Sequence, residues 1–287
     1  MLRVTRCRTA ADFLAAAGDY LSAREAEHNL ILGIAGTLLG DQDSSDVPPY
    51  FAVVAREREL VAAALRTPPW NLVLSEVDDP AALELLVDDL AGEELPGVTG
   101  PPAAAEQLAA LWTARHGGSS EQVMEEQIYQ LTRVIPPPAP AGGRPRRATS
   151  EDRGLLLDWV VAFHEEALPA EGGDRARRGI EAWDPQTGRQ FWLWEDGGQP
   201  VSLVGAGSPT PNGIRIGPVY TPPEHRGRGY ASTLTASVSQ RMLDEGRRFC
   251  FLYTDLANPT SNKIYRAIGY EPVADALMVR FRPAPGV

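Results

Sequence analysis

The chain has few cysteines and no long apolar run. Two cysteines among 287 residues, Cys7 and Cys250, provide no disulfide framework, and Cys250 lies in an apolar segment typical of a small core residue. We therefore expect a reducing compartment. No stretch of about eighteen consecutive apolar residues occurs, and no apolar run after Met1 is long enough for a signal peptide. From these absences we expect a cytoplasmic protein with no membrane partner.

The chain also lacks an excess of positive charge. It has 27 basic and 38 acidic residues, a net charge of −11 at pH 7, and an isoelectric point near 4.9. Binding to nucleic acid depends on clustered Lys and Arg that neutralise phosphates, so this balance argues against a nucleic-acid partner. The four histidines show no metal-ligand spacing. We expect no metal.

A segment rich in proline and glycine divides the chain near its middle. The run from Pro136 to Pro145 has almost nothing to bury and reads as a linker. A length of 287 residues suits two domains of ordinary size, and 43% hydrophobic residues suffice for a packed core. The sequence therefore predicts an N-terminal unit over 1–135, a linker over 136–143 and a C-terminal unit over 144–287.

The C-terminal unit shows alternating helix and strand patterns. Apolar spacing and turn signals predict an α/β fold with a mixed sheet and helices on both faces. A helix begins near Thr149 or Ser150 and has its apolar positions at helical spacing. The expected elements after it are a helix over 174–182, strands over 191–194, 201–206 and 214–220, a helix over 228–245, a strand over 249–256, a helix over 260–268 and a strand over 272–281.

The segment from Gly217 to Ala231 is the most informative in the chain. A strand stops at two prolines and passes through a glycine-rich turn into a helix. Gly227 and Gly229 can adopt backbone angles closed to other residues, which lets a ligand approach the main chain closely. Unpaired N–H groups of the first helical turn then point outward, with the positive end of the helix dipole behind them.

Two arginines, Arg226 and Arg228, add full positive charges beside that turn. The pattern therefore indicates a site for an anion such as a pyrophosphate. The alternative reading is an ordinary basic loop that caps a helix.

These residues resemble the coenzyme A site of the GCN5-related N-acetyltransferase (GNAT) superfamily. The family pattern Arg/Gln-x-x-Gly-x-Gly/Ala is present as Arg226-x-x-Gly229-x-Ala231. A second family pattern, Asn-x6-Tyr-x3-Gly-Phe/Tyr, is matched downstream by the run from Asn258 through Tyr265 to Tyr270. The resemblance covers about residues 144 to 282.

The resemblance implies acetyl-coenzyme A as cosubstrate and transfer of its acetyl group to a primary amine. The pantetheine arm would lie along the fourth strand of the domain like an added strand. Pro218 in that strand fits a sheet that opens there. The residues that the resemblance assigns to the cofactor are Val219, Thr221, Arg226, Gly227, Arg228, Gly229, Tyr230, Ala231 and Asn258, with Asn262 as an additional amide on the same helix.

Tyr265 matches the general acid of the family, which protonates the departing thiolate. A phenol with a reference pKa near 10 is protonated at neutral pH and still acidic enough for this step. The alternative is that Tyr265 only packs. A general base is not evident: Glu165, Glu166, Asp255 and a relayed water are all open.

The acceptor cannot be read from the sequence, and it is a small-molecule amine or an amine of a protein. The resemblance leaves two other activities open. One is a non-catalytic protein that binds coenzyme A as a sensor or structural ligand, and the other is an acyltransferase that uses a longer acyl group. The oligomeric state is also open.

The N-terminal unit has the same predicted element order and reads as a degenerate GNAT-like copy. The segment from Gly97 to Ala103 stands where its phosphate loop is expected, but it lacks the family pattern, and Pro101 and Pro102 remove two N–H donors. We expect no cofactor site there. An unrelated α/β domain is the alternative. The expected elements are a helical region over 10–39, strands over 50–56, 60–65 and 71–74, helices over 80–90 and 103–115, and a strand over 126–134.

Overall fold

The computed structural model describes residues 1–39, 47–167, 173–186 and 189–284. Its N-terminal half contains the predicted helices and strands, with the helical region expected over 10–39 divided into two helices, and adds two strands that were not predicted, β1 and β5. The elements of this half are β1 (Leu2–Arg6), α1 (Ala10–Ser22), α2 (Asn29–Thr37), β2 (Tyr50–Arg56), β3 (Glu59–Arg66), β4 (Leu72–Leu74), α3 (Ala81–Asp89), β5 (Gly97–Gly100), α4 (Pro102–His116) and β6 (Ser119–Leu131).

The C-terminal half repeats the same order of elements. Its first strand, β7, was also missed, because its four residues are three arginines and a proline. The elements are β7 (Arg144–Arg147), α5 (Arg153–Ala167), α6 (Asp174–Glu181), β8 (Gln190–Asp196), β9 (Gln199–Gly207), β10 (Gly213–Tyr220), α7 (Tyr230–Asp244), β11 (Phe249–Asp255), α8 (Pro259–Ala267) and β12 (Glu271–Arg282). The predicted repetition of one fold along the chain is confirmed.

One prediction about the N-terminal half is wrong. The segment expected at the position of a phosphate loop begins with strand β5, whose residues Gly97–Gly100 pair with β12. The equivalent of the C-terminal loop, which joins β10 to α7, is the connection between β4 and α3 at residues 75–80. Glycine and proline signal a turn in the sequence, but at Gly97 and Gly100 an added Cβ would clash with neighbouring strands. Glycine here permits close packing of strands.

All twelve strands form one continuous sheet in the order β1-β2-β3-β4-β5-β12-β6-β11-β10-β9-β8-β7. The last strand of each half is therefore exchanged. β6 from the N-terminal half pairs with β11 of the C-terminal half, and β12 pairs with β5. β6 and β12 are also antiparallel neighbours along almost their whole length, from Glu271 opposite Gln130 to Arg282 opposite Ser119. The exchange joins the two halves by main-chain hydrogen bonds.

Helices cover both faces of this sheet. On one face, α3 and α4 pack on the N-terminal strands, and α7 and α8 pack on the C-terminal strands. The other face carries α1 and α2 in the N-terminal half and α5 and α6 in the C-terminal half. Alternation along each strand supplies both cores: in β2, Ala52 and Val54 face α3, whereas Phe51 and Val53 face α1 and α2.

A buried carboxylate from the N-terminal half holds a turn of the C-terminal half. Glu25 is 6% exposed and follows α1. One of its carboxylate oxygens accepts hydrogen bonds from Thr210 Oγ1 at 2.5 Å and from the main-chain N–H groups of Asn212 and Gly213 at 2.8 and 3.1 Å. The other accepts from Asn212 Nδ2 at 2.7 Å. The β9–β10 turn is thus fixed against the helices of the other half.

Replacing Glu25 tests this connection. Glu25→Ala leaves several buried donors without an acceptor, so we expect a loss of about 2–4 kcal/mol in the free energy of unfolding. Chemical denaturation followed by tryptophan fluorescence measures it. Glu27→Ala is the matched control, because Glu27 makes only a half-exposed ion pair with Arg24 at 3.9 Å and its removal should cost little. Equal losses in the two variants would contradict the connecting role of Glu25.

Candidate functional site

The sheet opens between β10 and β11. The two strands pair in parallel only from Gly213 to Arg215, opposite Phe249 to Phe251. Beyond Arg215 the register of β10 against β9 shifts between Ile216 and Val219, which is a bulge. β11 continues to pair with β6 on its other side as far as Asp255. Main chain from Ile216 onward, including the predicted positions Val219 and Thr221, therefore borders a gap in the sheet.

The loop after β10 leads into α7 through two glycines with left-handed backbone angles. Gly227 has φ 77° and Gly229 has φ 78°, and no atom lies within 4 Å of a Cβ added to Gly227. α7 begins at Tyr230, so the N–H groups of its first turn, including that of Ala231, have no acceptor within the helix. The backbone here is open to an approaching group, and its partial charge favours an anion.

The two arginines of this loop differ in their contacts. Arg226 donates from Nη2 to Glu166 Oε2 at 2.6 Å and from Nε to the carbonyl oxygen of Thr221 at 2.8 Å. It therefore ties the loop to the end of α5. Arg228 is exposed, and its charge lies beside the loop.

The side chain of Tyr230 interacts with Asp196 and with Arg228 of the loop. Its ring is buried, and its hydroxyl donates to Asp196 Oδ2, which raises the pKa of Tyr230. Because Asp196 engages this hydroxyl, the group that Tyr230 offers to an anion at the loop is its main-chain N–H.

Tyr265 on α8 is buried in the core between α7, α8 and the sheet, with 8% of its surface exposed. Its ring lies 6.0 Å from the ring of Tyr270 in an edge-on arrangement. Desolvation raises the pKa of Tyr265 above its usual value of 10. The phenol therefore keeps its proton at neutral pH, as a general acid must, although burial also makes it a weaker acid.

The two predicted asparagines support the start of α8. Asn258 is the N-cap, and its Oδ1 accepts from the N–H of Ser261 at 3.1 Å. Asn262 donates from Nδ2 to the carbonyl oxygens of Asp255 and Asn258 at 3.1 and 2.8 Å, and its Oδ1 accepts from the hydroxyl of Tyr129 at 3.2 Å. Both amides therefore position the helix that carries Tyr265, and their contact with a cofactor stays a prediction.

Two of the predicted base candidates have fixed partners. Glu166 is paired with Arg226, and Asp255 Oδ1 accepts from the N–H of Ala257 at 2.8 Å. Glu165 is exposed near the end of α5. Because Glu166 and Asp255 have these partners, Glu165 and water are the base candidates without a fixed partner in these contacts.

A groove that the sequence did not predict lies beside the loop, between the start of α7 and the outer side of α8. Its volume is about 540 Å³. The linker forms one wall, because the N–H of Ala141 donates to Thr233 Oγ1 on α7 at 3.0 Å. This wall depends on the contact between the linker and α7, and residues so far apart in the chain show no local sequence pattern for it. The lining residues are Pro137, Pro138, Ser232, Pro259, Thr260, Lys263, Ile264, Ala267 and Ile268.

The corresponding opening in the N-terminal half is filled. β4 and β5 also pair only briefly, over Leu72–Val73, but the space beyond them retains a cavity of about 20 Å³. Buried His28 occupies this region: its Nε2 accepts from the N–H of Glu76 at 3.0 Å, and its Nδ1–H donates to the carbonyl oxygen of Leu21 at 3.0 Å. Desolvation lowers the pKa of His28.

The loop that follows β4 is acidic. It contains Glu76, Asp78 and Asp79 where the C-terminal loop has arginines and glycines. Asp78 and Asp79 engage Arg24 and Arg56 in ion pairs, and the loop itself offers a phosphate no positive charge. This supports the expectation of no cofactor site in this half.

Two features are absent from the described residues. No helix among them is both long and apolar enough to cross a membrane. No group of three or more His, Cys, Asp and Glu side chains in those ranges is arranged to hold a metal ion.

Comparison with known proteins agrees with this geometry. Residues 155–270 match the model of the acetyltransferase (GNAT) family. A stretch of 96 residues is 30% identical to N-acetyltransferase 8 of Rattus norvegicus, and the match covers 32% of this chain and 43% of that protein. The chain thus spans less than half the length of that relative.

Two solved structures resemble the fold of the whole chain. A GCN5-related N-acetyltransferase from Sphaerobacter thermophilus superposes with a TM-score of 0.59 at 20% identity, covering 100% of this chain and 97% of that one. A tandem GNAT protein from the clavulanic acid biosynthesis pathway, solved without AcCoA, superposes with a TM-score of 0.53 at 15% identity over 100% of both chains. Residues 155–270 of this chain are therefore similar to the GNAT acetyltransferase family, and the N-terminal half repeats the fold of the C-terminal half.

Proposed function

We propose that this protein is an N-acetyltransferase that moves an acetyl group from acetyl-coenzyme A to a primary amine. The observation that carries the proposal is the adjacency of two features: the gap between β10 and β11, and the glycine loop at the start of α7. An extended pantetheine arm fits the gap, because the main chain of β10 beyond Arg215 does not pair with β11. The pyrophosphate fits the loop, where Gly227 and Gly229 leave the backbone open.

The groove beside the loop suits the remaining part of the cofactor. Lys263 and Ser232 supply polar contacts, while Pro137 and Ile264 offer apolar surface to a purine. We assign the nucleotide end of coenzyme A to this groove. This proposal also includes the identity of the donor, an acetyl rather than a longer acyl group, and a cytoplasmic location.

The residues of this chain perform three roles in the transfer. Acetyl-coenzyme A supplies a thioester, whose carbonyl carbon forms a bond with the acceptor nitrogen while the carbon–sulfur bond breaks. Tyr265 gives its hydroxyl proton to the departing thiolate and is reprotonated from solvent. The acceptor nitrogen loses its proton to water or to Glu165, since Glu166 and Asp255 are held by other groups. The start of α7 and the loop hold the donor in place.

A coenzyme A binder without catalysis is the second candidate. The burial of Tyr265 favours it, because a raised pKa weakens the acid that the reaction needs. The two candidates agree on binding and differ on turnover.

Binding at the glycine loop is tested with Gly229→Val. A β-branched residue at φ 78° is strained and displaces the backbone from the anion. Ligand at about 100 times its Kd stabilises a folded protein by about 2.7 kcal/mol, and we expect the resulting rise in melting temperature with coenzyme A to disappear in this variant. Gly246→Val is the control, because Gly246 has φ 97° just after α7 and carries the same strain away from the loop. A normal ligand shift in Gly229→Val would refute the assignment.

Stoichiometry tests the single site. We expect isothermal titration calorimetry of the full chain to give one coenzyme A per chain, because His28 and the acidic loop close the N-terminal opening. A value near two would show that the N-terminal half also binds the cofactor.

Tyr265→Phe tests catalysis. The ring and its packing remain while the proton is lost, so we expect kcat to fall by about a hundredfold or more with unchanged binding of acetyl-coenzyme A. Tyr270→Phe is the control: Tyr270 is also a buried tyrosine, its hydroxyl contacts Ser239 at 2.8 Å, and loss of this hydroxyl should affect stability more than kcat. An undiminished kcat in Tyr265→Phe, measured where chemistry limits turnover, would reduce Tyr265 to a packing residue.

A further inference from the structure

Arg215 lies at the point where the sheet opens. It is the last residue of β10 that pairs with β11. Its neighbours Ile214 and Ile216 pack in the core under α7 and α8, so Arg215 points to the opposite face of the sheet, which carries α2 and α5. Its guanidinium lies 4.5 Å from the ring centre of Tyr253. Within the described ranges Arg215 has no ion pair or hydrogen bond from its side chain.

Asn29 adds a polar group from the other half of the chain. It is the first residue of α2 and is 2% exposed. Its Nδ2 donates to the carbonyl oxygen of Ala26 at 2.6 Å and to the hydroxyl of Tyr253 at 3.2 Å. Its Oδ1 has no hydrogen-bond partner among the residues that the structure describes. Buried amide oxygens are normally satisfied, so this one indicates a donor supplied by a ligand.

These three side chains form one polar surface, which we call the Arg215 surface: Arg215, Tyr253 and Asn29. It borders the gap between β10 and β11 on the face opposite to the helix that begins at the glycine loop. A cofactor held as proposed above would present its acetyl group at that gap, so an acceptor would approach across the Arg215 surface.

We propose that the acceptor is an amine that also carries a carboxylate, as an amino acid does, and that Arg215 binds this carboxylate. The proposal rests on the proposed acetyltransferase function. A guanidinium presents two parallel N–H groups that match a carboxylate. The Tyr253 ring fixes its position, and the Asn29 Oδ1 accepts a hydrogen bond from an N–H group of the same ligand.

Charge argues against the other classes of acceptor. An ammonium group on a polyamine or a lysine side chain would be repelled by Arg215 when it approached the gap. The net charge of −11 would by itself disfavour an anionic acceptor. Arg215, whose side chain makes no ion pair within the described ranges, supplies a positive charge at this point, although the carboxylate of Glu126 also acts on Tyr253.

The test measures acetyl transfer by the full-length protein to a panel of amino acids, each paired with its methyl ester and its decarboxylated amine. We expect kcat/KM to favour the acids by about tenfold to a hundredfold, the range for a charge-assisted hydrogen-bonded pair. In Arg215→Gln this preference should fall to within about threefold, chiefly through a higher KM. Arg215→Lys should restore part of it.

The control is Arg241→Gln. Arg241 also lies over an aromatic ring, that of Trp192 at 4.7 Å, but on the outer side of α7. Its removal should leave the preference unchanged. The rise in melting temperature with coenzyme A should be normal in all three variants, which shows that they are folded.

A second readout does not depend on turnover. The N-acetylated acids and their esters are titrated against the protein in the presence of coenzyme A, and the melting temperature is followed. Stabilisation by the acids alone, lost in Arg215→Gln, supports the carboxylate site even if no amine is acetylated, and in that case the acetyltransferase function fails. Equal turnover of acids and esters, unaffected by Arg215→Gln, overturns the carboxylate site and leaves the acetyltransferase standing. If acids and esters stabilise equally or not at all, with no turnover, both fail.

Discussion

The exchange of β6 and β12 is the constraint on which the rest of the structure depends. Each half ends in a strand that completes the sheet next to the other half's β5 or β11. Removal of either exchanged strand would leave main-chain groups of β5 or β11 unpaired at an exposed edge. The pairing also fixes the register between the halves, because a shift of one residue would move every side chain of β6 and β12 to the opposite face of the sheet. Tyr129 and Leu277 would leave their cores.

The same architecture is used in two ways. In both halves the fourth and fifth strands pair in parallel for two or three residues and then part. In the C-terminal half the space is bordered by a loop with two left-handed glycines. In the N-terminal half the imidazole of His28 accepts a hydrogen bond from the N–H of Glu76, and the loop carries three carboxylates. The C-terminal half has exposed main-chain groups at the gap, whereas in the N-terminal half the main-chain N–H of Glu76 is hydrogen-bonded within the protein.

The sequence was informative where the signal is local. The strand, loop and helix from Gly217 onward and the α8 segment were placed within about two residues, since glycine angles, caps and apolar spacing are properties of neighbouring residues. β7 was missed because three arginines and one proline show no apolar alternation, and β1 was missed because its two apolar residues, Leu2 and Val4, are too few to identify a strand. The loop assigned to Gly97 was wrong because glycine needed for close strand packing has the same letter as glycine needed for a turn. The strand exchange joins residues about 150 apart and leaves no local trace.

Partners of side chains were the least predictable part of the site. The motif places Arg226 beside the loop, but its ion pair with Glu166 lies 60 residues away in the chain. An arginine that is already paired with Glu166 can still contact a ligand if this ion pair is weak. Both side chains are about half exposed, so the pair contributes at most about 1 kcal/mol to stability. A phosphate at the loop offers Arg226 a stronger, charge-assisted contact. Arg226 can therefore contact an anion at the loop at small cost to stability.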